Sequence, residues 1–242
     1  MESLLYHTHH SLHLEDIPFW LSIAEGGGDR ILELGCGTGR VCLPLARAGW
    51  DVCGLDINPD MLAVLKQQLT PEIQSRINLI QADFRNFFLA TRFSAIIMPC
   101  NTLSTLPASD LRRTLTNINQ HLLPKGLFAA SLPNPERLMH LPEIGEPEIE
   151  EIFPHPLDGG PVQVSSCWKR EQETVTITWY YDHLGPNGDI HRTSAQAKHQ
   201  LLPVMVYEKM LHEADFTEVL TYGDFDLTPF NSDSPELIIA AA

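Results

Sequence analysis

Two carboxylates and three alternate glycines carry most of the chemistry that can be read from this chain. Residues 31–40 read ILELGCGTGR, so an apolar run ends in Gly35, Gly37 and Gly39 and a helical pattern follows. Glycine tolerates unusual φ/ψ and has no Cβ, so such a strand–turn–helix junction lets a ligand rest directly on the backbone. The spacing separates the ligand classes. A phosphate-cradling P-loop needs Lys-Ser/Thr after its last glycine, and Arg40-Val41 stands there instead. A dinucleotide fingerprint is G-x-G-x-x-G, whereas this loop is G-x-G-x-G with Arg40 at the position of the third glycine. Asp56 ends the next apolar run, where a carboxylate can accept both hydroxyls of a ribose. Asp83-Phe84 ends the one after, pairing an acid with an aromatic face that suits an adenine ring.

These residues need a scaffold that brings strand ends to one edge. From residue 30 to 132 strand-like runs alternate with helical patterns: strands at 30–34, 51–55, 77–81, 93–98 and 127–132. Such alternation predicts a parallel, doubly wound α/β sheet, whose ligands bind at the carboxyl ends of the strands. Within the helix predicted over 40–48, Pro44 removes a donor and crowds the preceding turn, so that helix is expected to start late or bend. Asn58 is placed to cap the next helix with Pro59 at its first position, and Ser109 or Asp110 to cap a later one. Residues 134–161 read as a Pro/Gly/Glu-rich connector. Three strand-like runs follow at 162–170, 174–182 and 190–202, separated by Glu171-Gln172-Glu173 and Gly185-Pro186-Asn187-Gly188, which is hairpin chemistry. The expected architecture is one α/β body, 1–134 and 203–242, with an antiparallel β insert at 135–202 between the fifth strand and the last helix.

ELGCGTG (33–39), GLDINPDM (54–61), QADF (81–84), IIMPCNTL (96–103) and LLPKGLF (122–128), in this order, resemble the motifs of class I S-adenosylmethionine-dependent methyltransferases. The resemblance implies a seven-stranded, mostly parallel Rossmann-like sheet closed by an antiparallel final strand. It implies S-adenosylmethionine as cofactor, its methionine part near Gly35, Cys36 and Gly37, its ribose on Asp56, and its adenine between Ile57 and Asp83-Phe84. Pro99 and Asn101 would border the methyl group, Gly39 and Met61 complete the cofactor-binding set, and Tyr6 lies in the stretch that covers the donor in small-molecule members. Amino methyltransferases of nucleic acid or glutamine commonly carry N/D-P-P-Y/F after the fourth strand, where this chain has Met98-Pro99-Cys100-Asn101.

Composition points the same way. Acids outnumber bases 31 to 16, giving a formal charge of −15, and nucleic-acid binding is driven by clusters of Lys and Arg that are not seen here. The expected acceptor is a small organic molecule; an alternative is a non-catalytic donor-binding module serving a partner protein. No stretch reads as a membrane span or secretory signal, and the odd set of five cysteines fits no disulfide or zinc spacing, so a cytoplasmic monomer or homodimer is expected. No metal site is expected, despite the group His7, His9, His10 and His13, whose spacing suits neither one helical face nor a ligand pattern. Trp168, Trp179, Tyr180 and Tyr181 cluster in the insert, and alternation sends Trp179 and Tyr181 to one face and Tyr180 to the other. Asn101, His155 and Tyr180 are the candidate catalytic residues.

Overall fold

The computed structural model describes residues 2–28, 30–185 and 187–242; Pro186 of the expected second hairpin turn falls outside them. The chain opens with helices α1 (Glu2–His10) and α2 (Ile17–Gly27) and then alternates. Strand β1 (Arg30–Leu34) leads to α3 (Cys42–Arg47), β2 (Asp51–Asp56) to α4 (Pro59–Gln67) and the single turn α5 (Pro71–Gln74). Next come β3 (Ile77–Gln81), β4 (Phe93–Met98), a 3-10 turn at Thr102–Thr105, α6 (Ala108–His121) and β5 (Leu122–Pro133). After α7 (Pro135–Met139), strands β6 (Glu148–Pro154), β7 (Pro161–Glu171), β8 (Thr174–Leu184) and β9 (Ile190–Gln200) form the insert. Helix α8 (Val204–Glu213), β10 (Val219–Tyr222) and β11 (Glu236–Ala241) close the chain.

The main sheet has seven strands in the order β10-β11-β5-β4-β1-β2-β3. The five central and right-hand strands run parallel, and β11 enters antiparallel against β5, with Glu236 opposite Pro133. The order reverses at β1, so the crevice above β1, β2 and β4 is where a ligand is expected. Strand alternation distributes the core. Leu32 and Leu34 face α6 and α8 with Ile96, Met98 and Phe128, while Ile31 faces α2 and α3 with Trp20, Val41 and Ile97. The insert is a separate four-stranded antiparallel sheet, β6-β7-β8-β9, and α1 packs Leu5 against its Phe153, Val162, Val164 and Tyr181.

Local chemistry explains the element ends. Helix α3 starts late, at Cys42, which places Pro44 in the first turn where its missing donor costs nothing. Asn58 caps α4 by accepting from the Asp60 and Met61 N–H groups. Three expectations need correction. Helix α6 begins at Ala108 after Pro107, so neither Ser109 nor Asp110 is its cap. Strand β5 begins at Leu122 rather than at residue 127, and takes in Pro124-Lys125-Gly126 as an irregularity where the register shifts between Phe93/Leu122 and Ala95/Leu127. The supposed connector at 134–161 holds α7, capped by Asn134, and the edge strand β6, so the insert has four strands.

Candidate active site

The glycine loop is shaped by two different constraints. Gly35 and Gly39 have φ of +75° and +88°, and a Cβ there would come within 2.7 Å of Thr102 Cγ2 and Leu65 Cγ respectively. Packing therefore demands glycine at both. Gly37 also has a positive φ, +52°, but a Cβ on it would meet nothing within 4 Å. Its free side faces open space, as a ligand cradle requires. The loop is tied to the end of β2: the Gly37 N–H donates to Asp56 Oδ2 at 2.7 Å and the Asn58 N–H to Oδ1 at 2.8 Å. Each oxygen has one such bond and keeps acceptor capacity.

Above this edge lies a cleft of about 640 Å³. Its floor is made by Arg40, Asn58, Met61, Cys100 and Asn101, which follow strands of the main sheet, with Ser131 near the end of β5 and Glu236 at the start of the antiparallel β11. Its roof is Tyr6, His10 and His13 from the amino-terminal segment, and Ile177, Trp179 and His199 from the insert. A concavity of similar size, about 600 Å³, lies at the opposite edge around Arg30, Asp51 and Asn78, away from the glycine loop.

The roof is fastened at several points. Burial of Arg40 opposes its charge, but its guanidinium donates to Asp16 at 2.5 and 2.6 Å, to the His13 carbonyl at 2.8 Å and to Cys100 Sγ, which together hold it ionised. The Trp20 indole N–H donates to the same Asp16 at 2.8 Å. His7 Nδ1 sits 3.0 Å from Thr38 Oγ1 of the glycine loop, and His9 Nε2 sits 3.2 Å from Glu150 in the insert. Two amino-terminal histidines thus bridge loop and insert. On the insert side, Ser104 donates its hydroxyl to the Asn101 carbonyl at 2.7 Å and stands 2.8 Å from His199 Nδ1. A hydroxyl has one proton, so His199 Nδ1–H is the donor in that pair and His199 Nε2 carries the free lone pair. Burial lowers His199 to about 4 and His10 to about 3, so both imidazoles are neutral near pH 7. Under the loop, burial raises Glu33 to about 8, against the opposing hydrogen bond with Cys42.

Comparisons with known proteins decide the family. A family profile described as Methyltransferase domain matches residues 31–126. The chain is a class I S-adenosylmethionine-dependent methyltransferase. It is similar to YqeM, a provisionally named methyltransferase of Bacillus subtilis, at 24% identity over 92% of this chain and 87% of the relative. It is similar to the dTDP-3-amino-3,6-dideoxy-alpha-D-glucopyranose N,N-dimethyltransferase of Streptomyces fradiae at 26% identity, covering 77% of this chain and 68% of that one. In fold it is similar to the S-adenosylmethionine-bound amino pentose methyltransferase CalS10 of Micromonospora echinaspora, with a TM-score of 0.75, 18% identity, and coverage of 98% and 95%.

The methyltransferase gathers most of the residues its sequence singled out. Tyr6, Met61 and Asn101 line the cleft itself. Gly35, Cys36, Gly37, Gly39 and Asp56 form the loop and strand end beneath it, Ile57 is exposed beside Asn58, and Pro99 is buried under Asn101. Asn101 adopts a left-handed conformation, φ 61°, which turns the chain over the strand end. Asp83 departs from expectation: Arg85 engages both its oxygens at 2.6–2.9 Å, and that bond holds Asp83 below the usual carboxylate range. Phe84 packs partly against the core.

Two of the three catalytic candidates lie elsewhere. His155 follows β6 and stacks on His183, 4.0 Å between ring centroids, beside Asp158 at a separate cavity. Tyr180 faces away from Trp179 on β8, as strand alternation requires, and lies under Arg192 at 4.9 Å. Asp16, Ser104 and Glu236 were missed. Their partners are distant in the chain, so no local spacing signals them; Arg40 was visible as out of pattern in the glycine loop, and His10 only as a member of the amino-terminal histidine group.

Proposed function

We propose that this methyltransferase acts on a small organic acceptor, held between the carboxyl edge of the main sheet and the insert, with residues 1–134 and 203–242 binding the donor and 135–202 walling the acceptor. The observation that carries this reading is the cleft itself: its floor belongs to the donor-binding edge and its roof to the insert, so donor and acceptor would meet inside one enclosed space. The Streptomyces and Micromonospora relatives are named for amino sugars, which supports an acceptor of this size.

The residues fit the donor. S-adenosylmethionine, when bound, supplies a methyl group on a sulfonium that is already a good leaving group. Asp56, through the acceptor capacity left on its two oxygens, would hold the ribose hydroxyls. The open side of Gly37 would give the methionine part backbone contact. Met61 and Ile57 would flank the adenine; Phe84 remains placed for the ring edge, while Asp83 would reach an adenine amine only by sharing its carboxylate with Arg85. Tyr6, Pro99 and Asn101 would border the transferring group and exclude water. The work left to the protein is alignment, and such positioning is worth on the order of 7–11 kcal/mol. His199 Nε2, a neutral acceptor on the insert wall, would orient the acceptor's N–H or O–H.

The test is methyl transfer from labelled S-adenosylmethionine into a fractionated metabolite extract, followed by mass spectrometry of the labelled product. A labelled compound small enough to fit the cleft is the expected result. Label found only in protein or nucleic acid contradicts the reading.

A further inference from the structure

One carboxylate on the floor of the cleft is shielded and has no hydrogen-bond partner. Glu236, the first residue of β11, lies on its floor opposite Pro133, held there by its own N–H donating to the Gly223 carbonyl at 3.0 Å. Its Oε2 is shielded from solvent and has no hydrogen-bond partner. His10 Nε2, on the roof of the same cleft, is likewise shielded and without a partner. His199 Nε2 offers a second lone pair. The one guanidinium on the wall, Arg40, is already engaged by Asp16, the His13 carbonyl and Cys100. A shielded carboxylate oxygen left without a partner is unfavourable, so Glu236 is placed for a ligand that brings a donor.

We infer that Glu236 receives the amino group of the acceptor, and that the acceptor is an aliphatic amine that enters as its ammonium ion. The inference rests on the donor and acceptor reading of the cleft given above. Charge selects the ammonium over a hydroxyl. Asp16 and Asp224 face Glu236 from the α2 entrance and the β10–β11 loop, and Arg137 from α7 opposes them more weakly. Burial first, and these two carboxylates next, raise Glu236 to about 7. A bound cation relieves that repulsion, and a hydroxyl does not. Number of protons argues alike: a primary ammonium brings three N–H donors to the cleft and a hydroxyl brings one. An acidic or phosphorylated group finds no free Lys or Arg on this wall among the described residues. Trp179 and Phe225 supply the apolar surface for the carbon skeleton.

Glu236 also has a use for its near-neutral affinity. One N–H bond of the ammonium breaks, its electron pair stays on nitrogen as the nucleophile, and the proton forms an O–H bond on Glu236 Oε2. That proton passes to solvent when the product leaves.

The experiment is calorimetric titration of the protein saturated with S-adenosylhomocysteine, using cyclohexylammonium, cyclohexanol and cyclohexanecarboxylate as probes of equal shape. The wild type should bind the ammonium and neither of the others measurably. E236Q should keep its affinity for S-adenosylhomocysteine, which shows an intact fold and donor site, and lose about tenfold or more in ammonium affinity. An alcohol that binds as well as the ammonium, no ammonium binding at all, or an ammonium affinity unchanged in E236Q overturns the assignment. Failure of the wild type to bind S-adenosylhomocysteine strikes instead at the donor site on which the inference rests.

Discussion

Ser104 Oγ lies 2.8 Å from His199 Nδ1 and joins the loop after β4 to the last strand of the insert. Because the Ser104 proton is used on the Asn101 carbonyl, the imidazole must donate through Nδ1 and leave Nε2 bare toward the cleft. The ring nitrogen shifts of His199 in a ¹⁵N-labelled sample at pH 7 should show Nδ1 protonated and Nε2 not. The same spectrum should persist down to about pH 5, since burial lowers His199 to about 4. A protonated Nε2, or titration near the ordinary histidine value, refutes this arrangement. His199→Ala should cost about 1 kcal/mol by removing the hydrogen bond that Ser104 accepts.

Arg40 and Asp16 are the main fastening between glycine loop and roof, with side-chain exposures of 14% and 9%. Removing one partner leaves an enclosed charge uncompensated, so Arg40→Met should destabilise by about 3 kcal/mol in urea unfolding. Asp16→Leu alone should cost at least as much, because the Trp20 indole loses its acceptor as well. The double variant should recover part of the sum. Additive losses would show that the pair is not coupled.

Glu33 makes stability fall as pH rises. Its folded-state value, about 8, lies above the unfolded one, so the folded state binds the proton more tightly between about pH 4.5 and 8. Its contribution is full below that window and is lost progressively as pH climbs through it. Chemical denaturation at a series of pH values should show a decline of a few kcal/mol across the window, and Glu33→Gln should flatten it. A decline unchanged in Glu33→Gln would place its origin elsewhere, with Glu236 next in line because it too is raised.

The glycines should separate by their causes. Gly39→Ala meets Leu65 Cγ at 2.7 Å on a left-handed backbone, and should lower stability by about 2–4 kcal/mol before any ligand is considered. Gly37→Ala carries only the backbone strain, about 1–2 kcal/mol, but fills the open side and should lower donor affinity more than stability. Thermal unfolding with and without S-adenosylhomocysteine measures both. Equal ligand-induced shifts in Gly37→Ala and wild type would show that nothing rests on that face.

The parts of the fold written in local sequence were legible, and the parts written between distant segments were not. Alternating apolar runs and glycine stops located the five parallel strands of the main sheet, and the Pro44 and Asn58 signals predicted two helix starts. Helix α1 was unreadable as a helix because its apolar stripe is weak; it is held by His7 on Thr38 and His9 on Glu150. Strand β6 was hidden in Pro/Glu-rich composition because, as an edge strand, it buries little beyond Phe153. The proposed donor edge was readable because one loop and two strand ends carry it. The proposed acceptor wall was not, since Glu236, His199 and His10 come from three elements that only the tertiary fold assembles.

Donor binding at the Gly37–Asp56 edge is tested most directly by calorimetric titration of wild type and Asp56→Ala with S-adenosylhomocysteine. The expected result is saturable one-to-one binding to the wild type and an affinity about 10- to 100-fold weaker in Asp56→Ala, the loss of a hydrogen-bonded carboxylate. Absence of binding to the wild type at millimolar ligand, or an affinity unchanged in a folded Asp56→Ala, would contradict it.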